Sequence, residues 1–286
     1  MLSGKAQSLP GIAILVVICI YTYGSLASGG VPFTHDYLMM CCPFFSIPWD
    51  DGPPLWNPFT MAGASVFDNF QFGLLYPLRW PFFFLEDWKS YIGLFNLLHY
   101  GIALAGCIAF MRSLKLSAMA WVSGTLTFII GSYFQVKMTF PIIFFSTCWL
   151  PLLLYGATGQ TRRQGWAITL STAAMCAIGS PQSLIYSILA FGIVLFFAQI
   201  LPEFRSKARD SAFQSVRTVL RRLVFPGFRA GLGFLLAAPV LLPAMQRIRQ
   251  SIRMDILQED NLYDSIRVDE IPPILLGGTG GTIHFG

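Results

Sequence analysis

The run Pro10–Ser28, PGIAILVVICIYTYGSLAS, decides how everything after it is read. Cleaved, it would be a secretory leader; retained, it is a membrane helix that makes the following segment a tethered loop. It follows Lys5, and no convincing small-x-small cleavage site closes it, so it reads as a retained anchor. Composition agrees. The 286 residues are 55% hydrophobic and 12% charged, about half the roughly 25% charge of soluble domains. Too little polar surface remains for a water-soluble globule, which predicts an integral membrane protein. Its net charge of +5 therefore says little about nucleic acid, and none is expected as a partner.

Working outward, apolar runs long enough for membrane helices fall at 10–28, 91–111, 117–134, 139–157, 165–180, 183–201 and 225–245. The prediction is an all-α, polytopic bundle of about seven spans over residues 1–245, with a long first extracytoplasmic loop at 29–90. Residues 246–286 form an extracytoplasmic C-terminal segment ending LLGGTGGTIHFG, which reads as interrupted. A cytoplasmic N-terminus puts Arg205, Lys207, Arg209, Arg217, Arg221 and Arg222 inside, with only Glu203 and Asp210 among the acids. That follows the positive-inside rule; the reverse topology violates it.

Cys19, Cys107, Cys148 and Cys176 lie in apolar runs, where a thiol behaves as a small hydrophobe. Cys41 and Cys42 are adjacent, and no CxxC or His/Cys cluster points to zinc.

The long loop is polar but not a flexible linker. Pro43, Pro48, Pro53, Pro54, Pro58, Pro77 and Pro81 stiffen it. Trp49, Trp56, Phe59, Phe70, Tyr76 and Trp80 suit the membrane interface. Asp36 is its carboxylate nearest the first span, placed to act as a general base or merely to face water. His35 beside it orients Asp36, meets a phosphate, or is solvated. Pro58 biases Asn57 to extended geometry, aiming its amide or capping a turn. Asp68 and Gln71 are three apart and share a face on a short helix, which suits sugar hydroxyls or plain solvation. A divalent cation between Asp36 and Asp68 is chemically open, but two aspartates so far apart do not argue for one, so no metal or cofactor is expected.

Elsewhere, His99 sits midway along a span, where a structural hydrogen bond to a neighbouring helix is expected. Lys137 occupies an outer turn and either meets a phosphate or snorkels to headgroups. Gln182 closes the outer end of the fifth span beside Pro181 and is a candidate to line the same pocket. Arg249 and Arg253 share a helical face beyond the last span, suited to a lipid phosphate or to anionic headgroups.

His35-Asp36 after the first span, then PLWNP (54–58), Gly63, DNFQ (68–71) and Tyr76-Pro77, resembles the YfhO-like family of bacterial membrane proteins. The resemblance continues through His99, GSPQ (179–182) and LLAAPVLLPAMQRIRQSIR (235–253). That family is similar to GT-C-type glycosyltransferases, which use lipid-phosphate-linked sugars and carry an acidic residue at the active site in the first external loop. The resemblance implies a GT-C-like fold in the bacterial cytoplasmic membrane. It also implies transfer of a sugar from a polyprenyl-phosphate donor to an extracytoplasmic acceptor. It gives Asp36 the catalytic role and Asn57, Asp68, Gln71 and Tyr76 the shaping of the sugar or phosphate pocket. Family members are usually far longer, which keeps a second expectation open: a non-catalytic subunit or assembly partner of a larger membrane complex. A transporter ranks last, because the spans carry few charges and no apparent inverted repeat.

Overall fold

The computed structural model describes residues 9–27, 55–57, 63–66, 73–85, 87–202 and 212–249. The chain divides into two compact units, Met1–Ala244 and Met245–Gly286; of the second, only Met245–Arg249 are described.

The elements are mainly helical, and local chemistry sets their ends. Helix α1 (Leu9–Ala27) opens with Pro10, whose missing N–H is no loss in a first turn. A two-residue antiparallel ladder follows, β1 (Trp56–Asn57) with β2 (Ala64–Ser65). Gly63 enters β2 at φ 113°, directly beneath the Trp56 ring, where a side chain would be both strained and obstructed. A 3-10 helix, Pro77–Phe84, leads to α2 (Trp88–Ser113). Helices α3 (Ala118–Ile130) and α4 (Ser132–Lys137) come next. Then follow α5 (Pro141–Cys148), α6 (Leu150–Ala157) and α7 (Arg162–Ile178). Helix α8 (Pro181–Leu195) runs on into a π-helical turn, Phe196–Ile200. The last two are α9 (Ala212–Leu236) and α10 (Ala238–Arg249). A Thr161–Gln164 capping box starts α7, and Gly179 ends it in the left-handed region at φ 82°.

Among the described residues, two helices, Lys89–Ser113 and Pro181–Ile200, are long and apolar enough to cross a membrane. A third crossing is reached if Val219–Leu236 and Ala238–Arg249, bent by 72°, count as one. The all-α expectation therefore stands for the described residues apart from the short ladder, but seven full crossings are not displayed. Several predicted spans are interrupted, and prolines explain two of the breaks. Span 139–157 stops at Trp149 because Pro151 lacks an N–H and its ring crowds the carbonyl four residues back. Pro239 does the same just beyond Ala237, where α9 gives way to α10. Span 117–134 is cut at Gly131, whose ψ of 141° is extended rather than helical.

Contacts fix the helix directions. Helices α2 and α3 are antiparallel, with Met111 against Gly124 and the Arg112 guanidinium 5.5 Å from the Trp121 ring centre. Helices α1 and α3 run the same way, since Gly11 meets Val122 and the Tyr23 hydroxyl donates to Ile129 O at 2.6 Å. Helix α2 is parallel to the α5–α6 pair. Phe95 and His99 pack on Phe145, while Gly106 meets the Leu152 backbone. Phe95, Tyr100, Phe134, Phe144 and Phe145 form an aromatic core between them. Ile185, Tyr186, Leu189, Ile193 and Phe197 of α8 and its π turn are exposed, as an apolar face toward lipid would be.

Asp87 caps α2, accepting from Lys89 N (3.2 Å) and Ser90 N (3.0 Å) and from the Ser90 hydroxyl (2.6 Å). The Ser90 hydroxyl bond, then the backbone bonds, hold this carboxyl below its ordinary range. A carboxyl depressed by folding stabilises above its unfolded pKa and loses that contribution as pH falls through its folded value. The first turn of α2 is therefore expected to stay protected until pH drops below the usual aspartate range. Amide exchange at Lys89 and Ser90 followed against pH checks this. In Asp87→Asn the acid dependence should vanish.

Candidate functional site

Of the described residues that the sequence tied to a site, Tyr76 lies where the first loop rejoins the helices. Gly73, at φ 56°, turns the chain, and Tyr76 N closes the turn on Gly73 O at 3.0 Å. The 3-10 helix suits PLRWPFFF: Pro77 opens it, and Pro81 lies within a span too short to propagate as an α-helix. Trp80 Nε1 donates back to Leu74 O at 3.1 Å. Arg79, although charged, is 5% exposed, and its Nε donates to the Tyr91 hydroxyl of α2 at 2.6 Å.

Tyr76 is the centre of this attachment. It is 3% exposed, and its hydroxyl lies 3.0 Å from His99 Nε2 and 2.9 Å from Trp149 Nε1. The bond directions follow from the partners. Indole nitrogen only donates, so Tyr76 accepts from Trp149. His99 Nδ1 lies 2.8 Å from Phe95 O, which only accepts, so Nδ1 carries the hydrogen. In the neutral ring Nε2 then accepts, and Tyr76 donates to it. The chain reads Trp149 to Tyr76 to His99 to Phe95, without a conflict of donors. Burial drives the Tyr76 phenol well above its ordinary range, opposed by the Trp149 bond, so it remains a donor. His99 thus makes the cross-element bond expected of it, to the loop segment rather than to a neighbouring helix.

Asn57 is 1% exposed and pairs through β1 with Ala64 of β2. Lys137 ends α4 with its ammonium 5.5 Å from the Tyr133 ring centre and 5.2 Å from that of Phe140; it is a cation seated on aromatic faces. Gln182 lies exposed in the first turn of α8, its amide 3.4 Å from the Tyr186 hydroxyl. Arg249 is exposed at the last position of α10. His35, Asp36, Asp68, Gln71 and Arg253 lie outside the described residues.

Helix directions bring several of these to one end of the bundle. Tyr100, next to His99, donates to Met138 Sδ at 2.9 Å, next to Lys137. Gly73 approaches Ala177 O and Ile178, four residues before Gln182. The loop attachment, the α4 turn and the α7–α8 turn therefore share an end. Among the described residues, Asp87 is the only carboxylate side chain, and no group of His, Cys, Asp or Glu there could hold a metal ion. What the described residues of this end display is amide, ammonium and aromatic chemistry, with the Asp87 carboxylate engaged in capping α2.

Sequence reasoning missed Arg79 and Trp149. The signal for Arg79 was present, since it stands three residues after Tyr76 in a proline-bracketed turn and therefore near it. Trp149 gave none, because only the break between α5 and α6 places its indole against a loop residue far away in sequence. Comparison with family models, with curated proteins and with solved structures finds no match to this chain.

Proposed function

We propose that the chain is a membrane glycosyltransferase of GT-C type, or the N-terminal module of one. It would move a sugar from a polyprenyl-phosphate carrier onto an acceptor outside the cytoplasmic membrane. The observation that supports this reading most is the attachment of the first loop through Tyr76 to α2 and the α5–α6 break. Residues 73–85, fastened there, lie at the end of the bundle that carries Lys137 and Gln182. Asp36 then acts as general base on the acceptor hydroxyl as its oxygen attacks the anomeric carbon. The bond from that carbon to the carrier phosphate breaks, and the phosphate leaves with the electron pair. A phosphate leaving group needs positive charge more than an acid, a role for Lys137, Arg249 and Arg253. His35, Asn57, Asp68 and Gln71 complete the pocket, with Tyr76 fixing its floor.

The test is transfer of labelled sugar from polyprenyl-phosphate donors in membranes carrying the wild type or Asp36→Asn. Product with the wild type and none with the variant is expected. Full transfer by the variant removes Asp36 as base, and no transfer by either, against a positive-control enzyme, removes the reading.

A further inference from the structure

At the opposite end of the bundle, α7 and α9 run in the same direction and in close contact. Gly165 faces Phe225 and Arg229, the Thr169 hydroxyl donates to Arg229 O at 3.0 Å, and Gly233 meets Thr169 and Thr172. Helical side chains lean toward their own N-terminus, so Arg229 extends from mid-helix toward the start of α9. Its guanidinium carbon lies 5.3 Å from the Trp166 ring centre and 5.6 Å from that of Phe225. Trp166 is 41% exposed. The Arg229 Nε is buried and makes no hydrogen bond. Arg222, Phe225 and Arg229 fall at i, i+3 and i+7, one face of α9. Arg162 and Arg163 stand exposed at the start of α7, and Arg221 is exposed beside Arg222.

We propose that this end of the α7–α9 seam binds the phosphate of an anionic phospholipid headgroup, with Arg229 as the inner contact and Arg162 and Arg163 as outer ones. Three observations converge. The guanidinium is oriented by two rings rather than by a carboxylate, and a planar fork so placed is ready for phosphate oxygens. Asp87, the only described carboxylate, caps the other end of the bundle. The flanking surface is aromatic and aliphatic, with Leu220, Val224 and Phe228 exposed on α9, as acyl-chain contact requires. Basic pockets between membrane helices select anionic over zwitterionic lipids on these terms. The inference is independent of the proposed transferase activity.

The test measures thermal unfolding and lipid retention, by native mass spectrometry, for the full chain in neutral detergent. Phosphatidylglycerol, phosphatidylcholine of the same chain length, and inorganic phosphate are added separately. Phosphatidylglycerol alone is expected to raise the midpoint and remain bound. Arg229→Gln should weaken that binding at least about tenfold. Arg162→Gln/Arg163→Gln, two exposed sites whose loss leaves lipid-free stability unchanged, should weaken it about three- to tenfold and serves if Arg229→Gln fails to fold. Equal response to both lipids overturns the proposal, as pairing of these arginines with Glu203 or Asp210 would predict. So does full phosphatidylglycerol binding by either variant. A response to inorganic phosphate alone would assign the seam to a soluble anion instead.

Discussion

Tyr76→Phe is expected to destabilise the chain by roughly 2–4 kcal/mol, a large loss for one oxygen atom. The ring stays, so packing against Phe95 and His99 is kept. What disappears is the acceptor of the Trp149 indole N–H and the donor to His99 Nε2. Each stranded buried group costs about 1–3 kcal/mol, more than the net value of the bond it made. The check is chemical denaturation in detergent of Tyr76→Phe, Trp149→Phe and the double variant. If the hydroxyl is the hub, the double variant is much less destabilised than the sum of the singles. Additive effects would mean that Tyr76 and Trp149 act independently.

Gly233→Ala is expected to cost about 1–3 kcal/mol although alanine is the better helix former. A methyl there would lie 2.7 Å from Thr169 O and from Thr172 Cβ, and 3.2 Å from Ala173 N. Two of those atoms are backbone and cannot rotate away, so α7 and α9 must separate. Gly227 and Gly231 on the same helix have nothing within 4 Å of an added methyl. Gly227→Ala and Gly231→Ala should therefore be neutral or stabilising by about 0.5–1 kcal/mol. Unfolding of the three variants side by side separates helix propensity from seam contact. Equal behaviour would show that the seam tolerates the methyl.

Several helix starts carry local signals that window hydropathy does not register. Asp87, Ser117 and Thr161 with Gln164, and the prolines at 141, 151 and 181, are local signals acting within one turn. The number of crossings was not legible. Hydropathy averages over a window and passes through Gly131, Trp149 and Ala237, where backbone geometry divides apolar runs into shorter helices. Of the site, His99 was readable as a buried polar group that needed a partner. Tyr76 was expected at a pocket wall, and its hydroxyl turns instead toward two groups of the bundle. Single-residue spacing carries no information about bonds that join positions 76, 99 and 149, because tertiary packing alone brings them together.

The attachment at Tyr76 also sets a timescale. A surface loop ordinarily moves within nanoseconds to microseconds. Residues 73–85 can leave only by breaking several buried hydrogen bonds together, which makes their release a local unfolding event. Such a segment is a fixed strut, not a lid.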